Sequence, residues 1–236
     1  MIGFRNLGRK RKLGIVYSND VPLVLIDPTS KGFFENVLGY VTENEKVQAF
    51  IKAIREVKEE GVKPFWKPIY DPSLDDEEVV FKAKRTPAVG HSYNFWKQKA
   101  EKMPAVQDKK WSVGSEYQYY AFLIWLINSL KKKGLTIEES MNAVVLCSKE
   151  LGHYWDSVDA LYNFEITGSR EVCMVYDLAN TNKILSCTKE ETGGLWLAGG
   201  NFVDHSGYCP LACLEHYNSD SVGIDYGYGV GWLVLS

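Results

Sequence analysis

Four tyrosines towards the C-terminus, Tyr208, Tyr217, Tyr226 and Tyr228, stand among Asn, Ser, Asp, His and Gly. The chemistry this mixture suits is recognition. A tyrosine offers a large amphipathic contact area while freezing only two side-chain torsions, and Ser, Gly and Asn adapt their hydrogen bonds to what faces them. The surrounding stretch, Asn201 to Tyr228, is equally unusual for what it lacks. Lys, Glu, Gln, Met and Trp account for 54 of the 236 residues, so 28 residues at that frequency should hold about six. This stretch holds one, Glu215. The side chains available to meet a ligand here are Asn201, Phe202, Asp204, His205, Ser206, Tyr208, Cys209, His216, Tyr217, Asn218, Ser219, Asp220, Asp225, Tyr226 and Tyr228. One or two of the tyrosines are expected to be partly buried against the core.

Reactive chemistry is harder to assemble. The four histidines, His91, His153, His205 and His216, form no clustered motif, and Asp204, Glu215, Asp220 and Asp225 are spread singly where a calcium site needs converging oxygens. The Glu-Pro-Asn, Gln-Pro-Asp and Trp-Asn-Asp sequences of calcium lectins are absent. So are GxGxxG and a Gly-Lys-Ser/Thr phosphate loop. Five cysteines (Cys147, Cys173, Cys187, Cys209, Cys213) make an odd count without Cys-x-x-Cys spacing, which argues against a disulfide framework or a zinc site. Cys147 and Cys173 lie in apolar runs and read as core thiols. Glu165, Thr167, Ser169, Arg170 and Asp177 read as a buried hydrogen-bond and ion-pair network rather than an active site. No catalytic residue, metal or cofactor is expected.

Two apolar blocks, Leu195 to Ala198 and Val230 to Leu235, flank the permissive stretch and read as strands. Together they make a frame: Gly193-Gly194-x-Trp196-x-x-Gly199, a polar insert, then Val230-Gly231-Trp232-Leu233-Val234. This frame resembles the variable region, here residues 193–236, of the variable proteins of diversity-generating retroelements. In that family adenines of a template are rewritten, and single-base changes at the two adenines of an Asn codon never reach Lys, Glu, Gln, Met, Trp or a stop. The depletion in Asn201 to Tyr228 is what that process would leave. With the blocks His153-Tyr154-Trp155-Asp156-Ser157, Phe164 to Arg170 and Tyr176 to Thr181, the frame is similar to the C-type-lectin fold of the formylglycine-generating-enzyme type. The resemblance covers Lys84 to Ser236 by layout and is specific from about Gly152 onward. It departs from the bacterial and phage pattern at Val230-Gly231-Trp232-Leu233, which replaces a Gly-Phe-Arg ending and suggests an archaeal or otherwise divergent lineage.

The resemblance implies a non-enzymatic protein that binds a variable macromolecular ligand, expected to be a protein and not nucleic acid. It also raises an alternative, because the formylglycine-generating enzymes use a reactive cysteine pair. Cys209 and Cys213 would be that pair, but no Lys or Arg neighbours them to lower a thiol pKa, and only His205 and His216 are near in sequence. A plain structural or virion protein on the same fold is a third reading.

Overall composition, with 45% hydrophobic and 24% charged residues, is that of an ordinary globular chain, and a net charge of -3 gives no global argument for nucleic acid or an anionic membrane. The basic run Arg9-Lys10-Arg11-Lys12 is local and reads as a solvated terminus. No N-terminal signal peptide is recognised, no apolar run approaches the length of a membrane span, and surface or virion display would need another route. A monomer is the default expectation for the oligomeric state.

The elements that must carry the frame form an α+β pattern: mixed antiparallel strands, two to three helices and long loops. Residues 1–83 form an N-terminal hairpin and helix segment packed on, or part of, the lectin-like domain at 84–236. Leu13 to Val16 and Val21 to Ile26, joined through Ser18-Asn19-Asp20, read as the hairpin. Thr42-x-x-Glu45 reads as a capping box opening a helix with Val47, Phe50, Ile51, Ile54 and Val57 inward, Lys52, Arg55, Glu56, Glu59 and Glu60 outward, and a stop at Gly61. Pro64 to Glu78 reads as a loop before a strand at Val79 to Phe81, and Gly90 to Trp111 as irregular. A second helix is expected from near Ser115 to Lys131-Lys132-Lys133-Gly134. A third opens with the capping box Thr136-x-x-Glu139 and runs through Met141, Val144 and Val145 to Leu151 and Gly152, both helices lying on one side of a sheet.

Overall fold

In the computed structural model the chain is described at residues 15–18, 20–82, 85, 88, 90–132, 134–146, 172–174, 195–199, 214–217 and 230–236. The expected hairpin forms, but its first strand extends through Ser18, which was expected in the turn, while Leu13 lies outside the described residues. Strands β1 (Ile15–Ser18) and β2 (Val21–Ile26) pair antiparallel with Ser18 opposite Val21, and Asp20 turns the chain at φ +65°, a left-handed conformation that a short polar side chain tolerates. A short helix α1 (Glu35–Leu38) follows, then α2 (Glu45–Glu60).

Helix α2 buries Val47, Phe50, Ile51, Ile54 and Val57 and ends in Gly61 at φ +71°, as its periodicity predicts. Its cap differs from the expected box. The N-cap is Asn44, whose side-chain oxygen accepts from the backbone N–H groups of Lys46 and Val47, while the Thr42 hydroxyl accepts from the Asn44 N–H one step outside the helix. Glu45 is thereby the first helical residue rather than the third, and Asn is as strong an N-cap as Thr.

The stretch expected as loop holds two strands before β5 (Glu78–Val80): β3 (Phe65–Pro68) and β4 (Ser73–Asp75). Pro64 and Pro68 conceal β3 from a propensity reading, but a proline at the last position of a strand removes little of the ladder. The β4–β5 turn places Asp76 and Glu77 at φ +45° and +69°, and the Lys99 ammonium donates to the Glu77 carbonyl.

The stretch expected as irregular contains helix α3 (Tyr93–Lys102). Ser92 caps it by accepting from the Phe95 N–H, and Tyr93, Trp96 and Ala100 face inward. Strand β6 (Trp111–Val113) leads to α4 (Glu116–Lys132), opened by a reciprocal pair in which Ser115 N–H donates to the Gln118 side chain and Gln118 N–H to the Ser115 hydroxyl. The expected Thr136–Glu139 capping box opens α5 (Ile137–Met141), after which Asn142–Leu146 widens into a π-turn. The two Thr136 bonds, backbone first, hold the Glu139 carboxyl below its ordinary pKa. Five α-helical segments therefore stand among the described residues where two to three were expected. The additions are the four-residue α1 and α3, whose capping Ser lies within an aromatic run that masks its helical spacing.

The remaining strands are β7 (Val172–Met174), β8 (Leu195–Gly199), β9 (Leu214–Tyr217), β10 (Val230–Gly231) and β11 (Leu233–Leu235). A five-stranded antiparallel sheet runs β1-β2-β3-β11-β6, and a four-stranded sheet runs β10-β7-β8-β9, antiparallel except for the β10–β7 pair. The architecture is α+β. Helix α4 packs against α2, α5 and β2, and α3 packs against β6. Between them lie Ile26, Ile54, Phe65, Leu123, Ile124, Ile127, Met141 and Val234, all almost fully buried. Each such side chain contributes roughly 1.5–3 kcal/mol by leaving water. No helix among the described residues is long and apolar enough to cross a membrane.

Candidate functional site

The frame around the insert is built from paired strands at both ends. Strand β8 carries Trp196 of the opening frame and pairs on one side with β7, Val172 opposite Gly199 and Met174 opposite Leu197. On its other side lies β9, with Leu195 opposite Tyr217, Trp196 opposite His216, Leu197 opposite Glu215 and Ala198 opposite Leu214. The chain thus leaves β8 and re-enters β9 at the same end of the sheet, with Ala198 and Leu214 one strand spacing apart, about 4.8 Å. The two residues flanking 218–229 are held differently. Tyr217 and Val230 lie on the opposite outer strands of this sheet, β9 and β10.

The closing frame, expected as one strand, is divided at Trp232. Val230 and Gly231 extend the small sheet, whereas Leu233 to Leu235 run between β3 and β6 of the large one. Trp232 turns into the core between them and is 0% exposed. Its ring lies edge-on to Tyr119 at 5.4 Å and to Phe65 at 6.1 Å, is tilted against Phe122 at 6.1 Å, and has the Lys67 ammonium 5.8 Å above it. Aromatic pairs of this kind add about 0.5–1.5 kcal/mol each beyond area burial. The Trp232 carbonyl accepts from the Gly114 N–H at 2.9 Å, while its indole N–H is buried without an acceptor among the described residues.

Two glycines make this seat possible by their size. A Cβ on Gly114 would lie 2.1 Å from the Trp232 ring, and one on Gly231 would lie 2.4 Å from the ring of Trp96. Trp96 is itself fully buried and sits at the head of α3, edge-on to His91 and Phe95. His91 stacks on Phe95 at 4.0 Å, and its pKa is lowered by burial and then by the Lys99 charge. Lys67 is 3% exposed: its ammonium donates to the Pro68 carbonyl at 3.1 Å and lies 3.9 Å from Asp71. At the far end of the closing strand, Ser236 and Lys110 exchange two backbone hydrogen bonds.

Of the residues expected to meet ligand, His216 and Tyr217 lie in β9, in register with β8. Asn201, Phe202, Asp204, His205, Ser206, Tyr208, Cys209, Asn218, Ser219, Asp220, Asp225, Tyr226 and Tyr228 lie outside the described residues, as do Cys147, Cys187, Cys213 and the polar groups Glu165, Thr167, Ser169, Arg170 and Asp177. Cys173 lies on β7, opposite Ala198. Among the described residues no three His, Cys, Asp or Glu side chains converge as a metal site would require. The sequence reading did not single out Gly114, Trp96, Phe65 or Lys67 as the seat of the closing frame. Gly114, directly before the Ser115-x-x-Gln118 cap, carried a local signal. Lys67 carried none, because a Lys between Trp66 and Pro68 reads as exposed.

No protein-family model, curated protein or solved structure matches the chain.

Proposed function

We propose that this chain is a binding protein, not an enzyme, whose C-terminal insert Asn201 to Tyr228 is diversified by retroelement adenine mutagenesis to meet a variable macromolecular ligand. In this reading the scaffold is a C-type-lectin-like fold of the formylglycine-generating-enzyme type. The observation that carries it is compositional: across 28 residues, the only one that adenine changes in an Asn codon cannot reach is Glu215. A physical condition supports it. Diversification is tolerable only if the insert's flanks are held by contacts the insert does not supply, and Leu195–Gly199 and Val230–Leu235 are held by β7, β3, β6 and the Trp232 seat. Substitutions at exposed positions between such flanks usually change stability by less than about 0.5 kcal/mol.

Sequencing a few kilobases around the gene in several isolates tests the reading. Differences concentrated in Asn201 to Tyr228 and traceable to adenines of a nearby template copy, beside a reverse transcriptase gene, are expected. An insert constant among isolates, with no near-copy of the 3' segment nearby, would end it.

A further inference from the structure

We propose that β9 is a constant divider inside the insert, so that diversification acts on two separate segments, 201–213 and 218–228, and His216 and Tyr217 belong to the scaffold. This rests on the reading of the chain as a diversified binding protein. The first support is register: all four residues of β9 are paired in sequence with β8, and the pairs include Trp196 of the opening frame. The second is that Glu215, the lone unreachable residue in the stretch, lies within these four and opposite Leu197. A residue that adenine changes cannot produce marks a codon held outside the diversified set, and it falls within β9, the part of the stretch that lies among the described residues.

Strand chemistry supplies the reason. Fifteen residue types are reachable from an Asn codon, and they include Gly, Pro, Asp and Asn, the types most depleted in strands. If all four positions were drawn from those codons, about two thirds of the products would carry at least one such residue in β9. Each of those would weaken the ladder that returns the chain from the first segment and launches the second. The two segments start from opposite ends of β9, about 10 Å apart at roughly 3.4 Å per residue. Diversified sequence would therefore be interrupted by a fixed four-residue strand rather than run on unbroken from 201 to 228.

The test uses the full chain displayed on yeast, with four-residue windows randomised by the same Asn-derived codons at 203–206, 214–217 or 219–222 and sorted for protease resistance. The 214–217 library should yield resistant clones at least threefold less often than either flanking library. Equal yields overturn the divider. Sequences from isolates supply the second reading: changes in the flanks with Leu214 to Tyr217 constant are expected, and changes in β9 as frequent as in the flanks overturn the proposal. An insert invariant throughout removes the diversification reading instead, and the libraries then still decide whether β9 is scaffold.

Discussion

Gly114→Ala adds one methyl group at the point where the closing frame enters the core. That methyl would sit 2.1 Å from two ring carbons of Trp232 and 3.1 Å from a Val234 methyl. Carbon atoms pack best at about 3.5–4.0 Å, so the ring would have to retreat by roughly 1.5 Å. It has nowhere to go, because Tyr119, Phe65 and Phe122 close its other sides and none of it is exposed. Overpacking of this kind costs about 1–3 kcal/mol. Backbone movement that relieves it would lengthen the 2.9 Å bond from Gly114 N–H to the Trp232 carbonyl, adding about 1 kcal/mol. We expect about 2–4 kcal/mol in total, a large share of the roughly 5–15 kcal/mol typical of a domain. Urea denaturation followed by tryptophan fluorescence reads it. Gly61→Ala is the control: its φ of +71° costs roughly 1 kcal/mol, but nothing lies within 4 Å of the added carbon. In a Trp232→Leu background the added methyl occupies vacated space, and the Gly114→Ala penalty should fall below about 1 kcal/mol, a coupling within the usual range for contacting residues. A Gly114→Ala protein no less stable than Gly61→Ala, or a penalty equal in both backgrounds, refutes the wedge.

Lys67 and Asp71 are both buried and lie 3.9 Å apart, so Lys67→Met takes a cation away from a buried carboxylate and should cost about 3–5 kcal/mol, and adding Asp71→Leu should recover part of that loss in the same denaturation assay. The His91 pKa lies below the ordinary 6.5 through burial and then the Lys99 charge. Its contribution to stability is therefore complete above pH 6.5 and is lost as pH falls through the lower folded value; denaturation from pH 8 to pH 5 should show this slope, and His91→Phe should remove it. Truncation after Tyr228 removes β10 and β11, leaving β3 and β6 without the strand between them. The truncated chain should lose cooperative urea unfolding, whereas a truncation that merely frayed one edge would keep it.

Local rules made much of the helical layer legible. Caps, apolar spacing and stop signals are interactions between residues a few positions apart, so α2, α4 and the start of α5 follow from Val47 to Val57, from Ser115 to Gly134 and from the Thr136–Glu139 box. The exception at α2 is instructive: Thr42 and Asn44 are both good caps, and only the path of the chain entering the helix selects Asn44. Strand β3 and helix α3 were less legible because Pro64, Pro68 and a dense aromatic run are ambiguous signals until neighbours are present. Phe65 acquires its meaning from Trp232 and Trp96 from Gly231, each more than a hundred residues away.

By itself the sequence determined that Asn201 to Tyr228 is compositionally set apart and that apolar blocks bracket it, because both are properties of residue type along the chain. Tertiary structure alone decided where those brackets are fastened. The closing block divides at Trp232 between two sheets and threads β11 between β3 and β6, strands that precede it by well over a hundred residues. It decided also that Lys67 is buried against that tryptophan and that Gly114 and Gly231 are needed for their lack of a side chain. Backbone pairing and close packing are made between distant segments, and no local spacing rule encodes which segment will fill the space beside a given glycine.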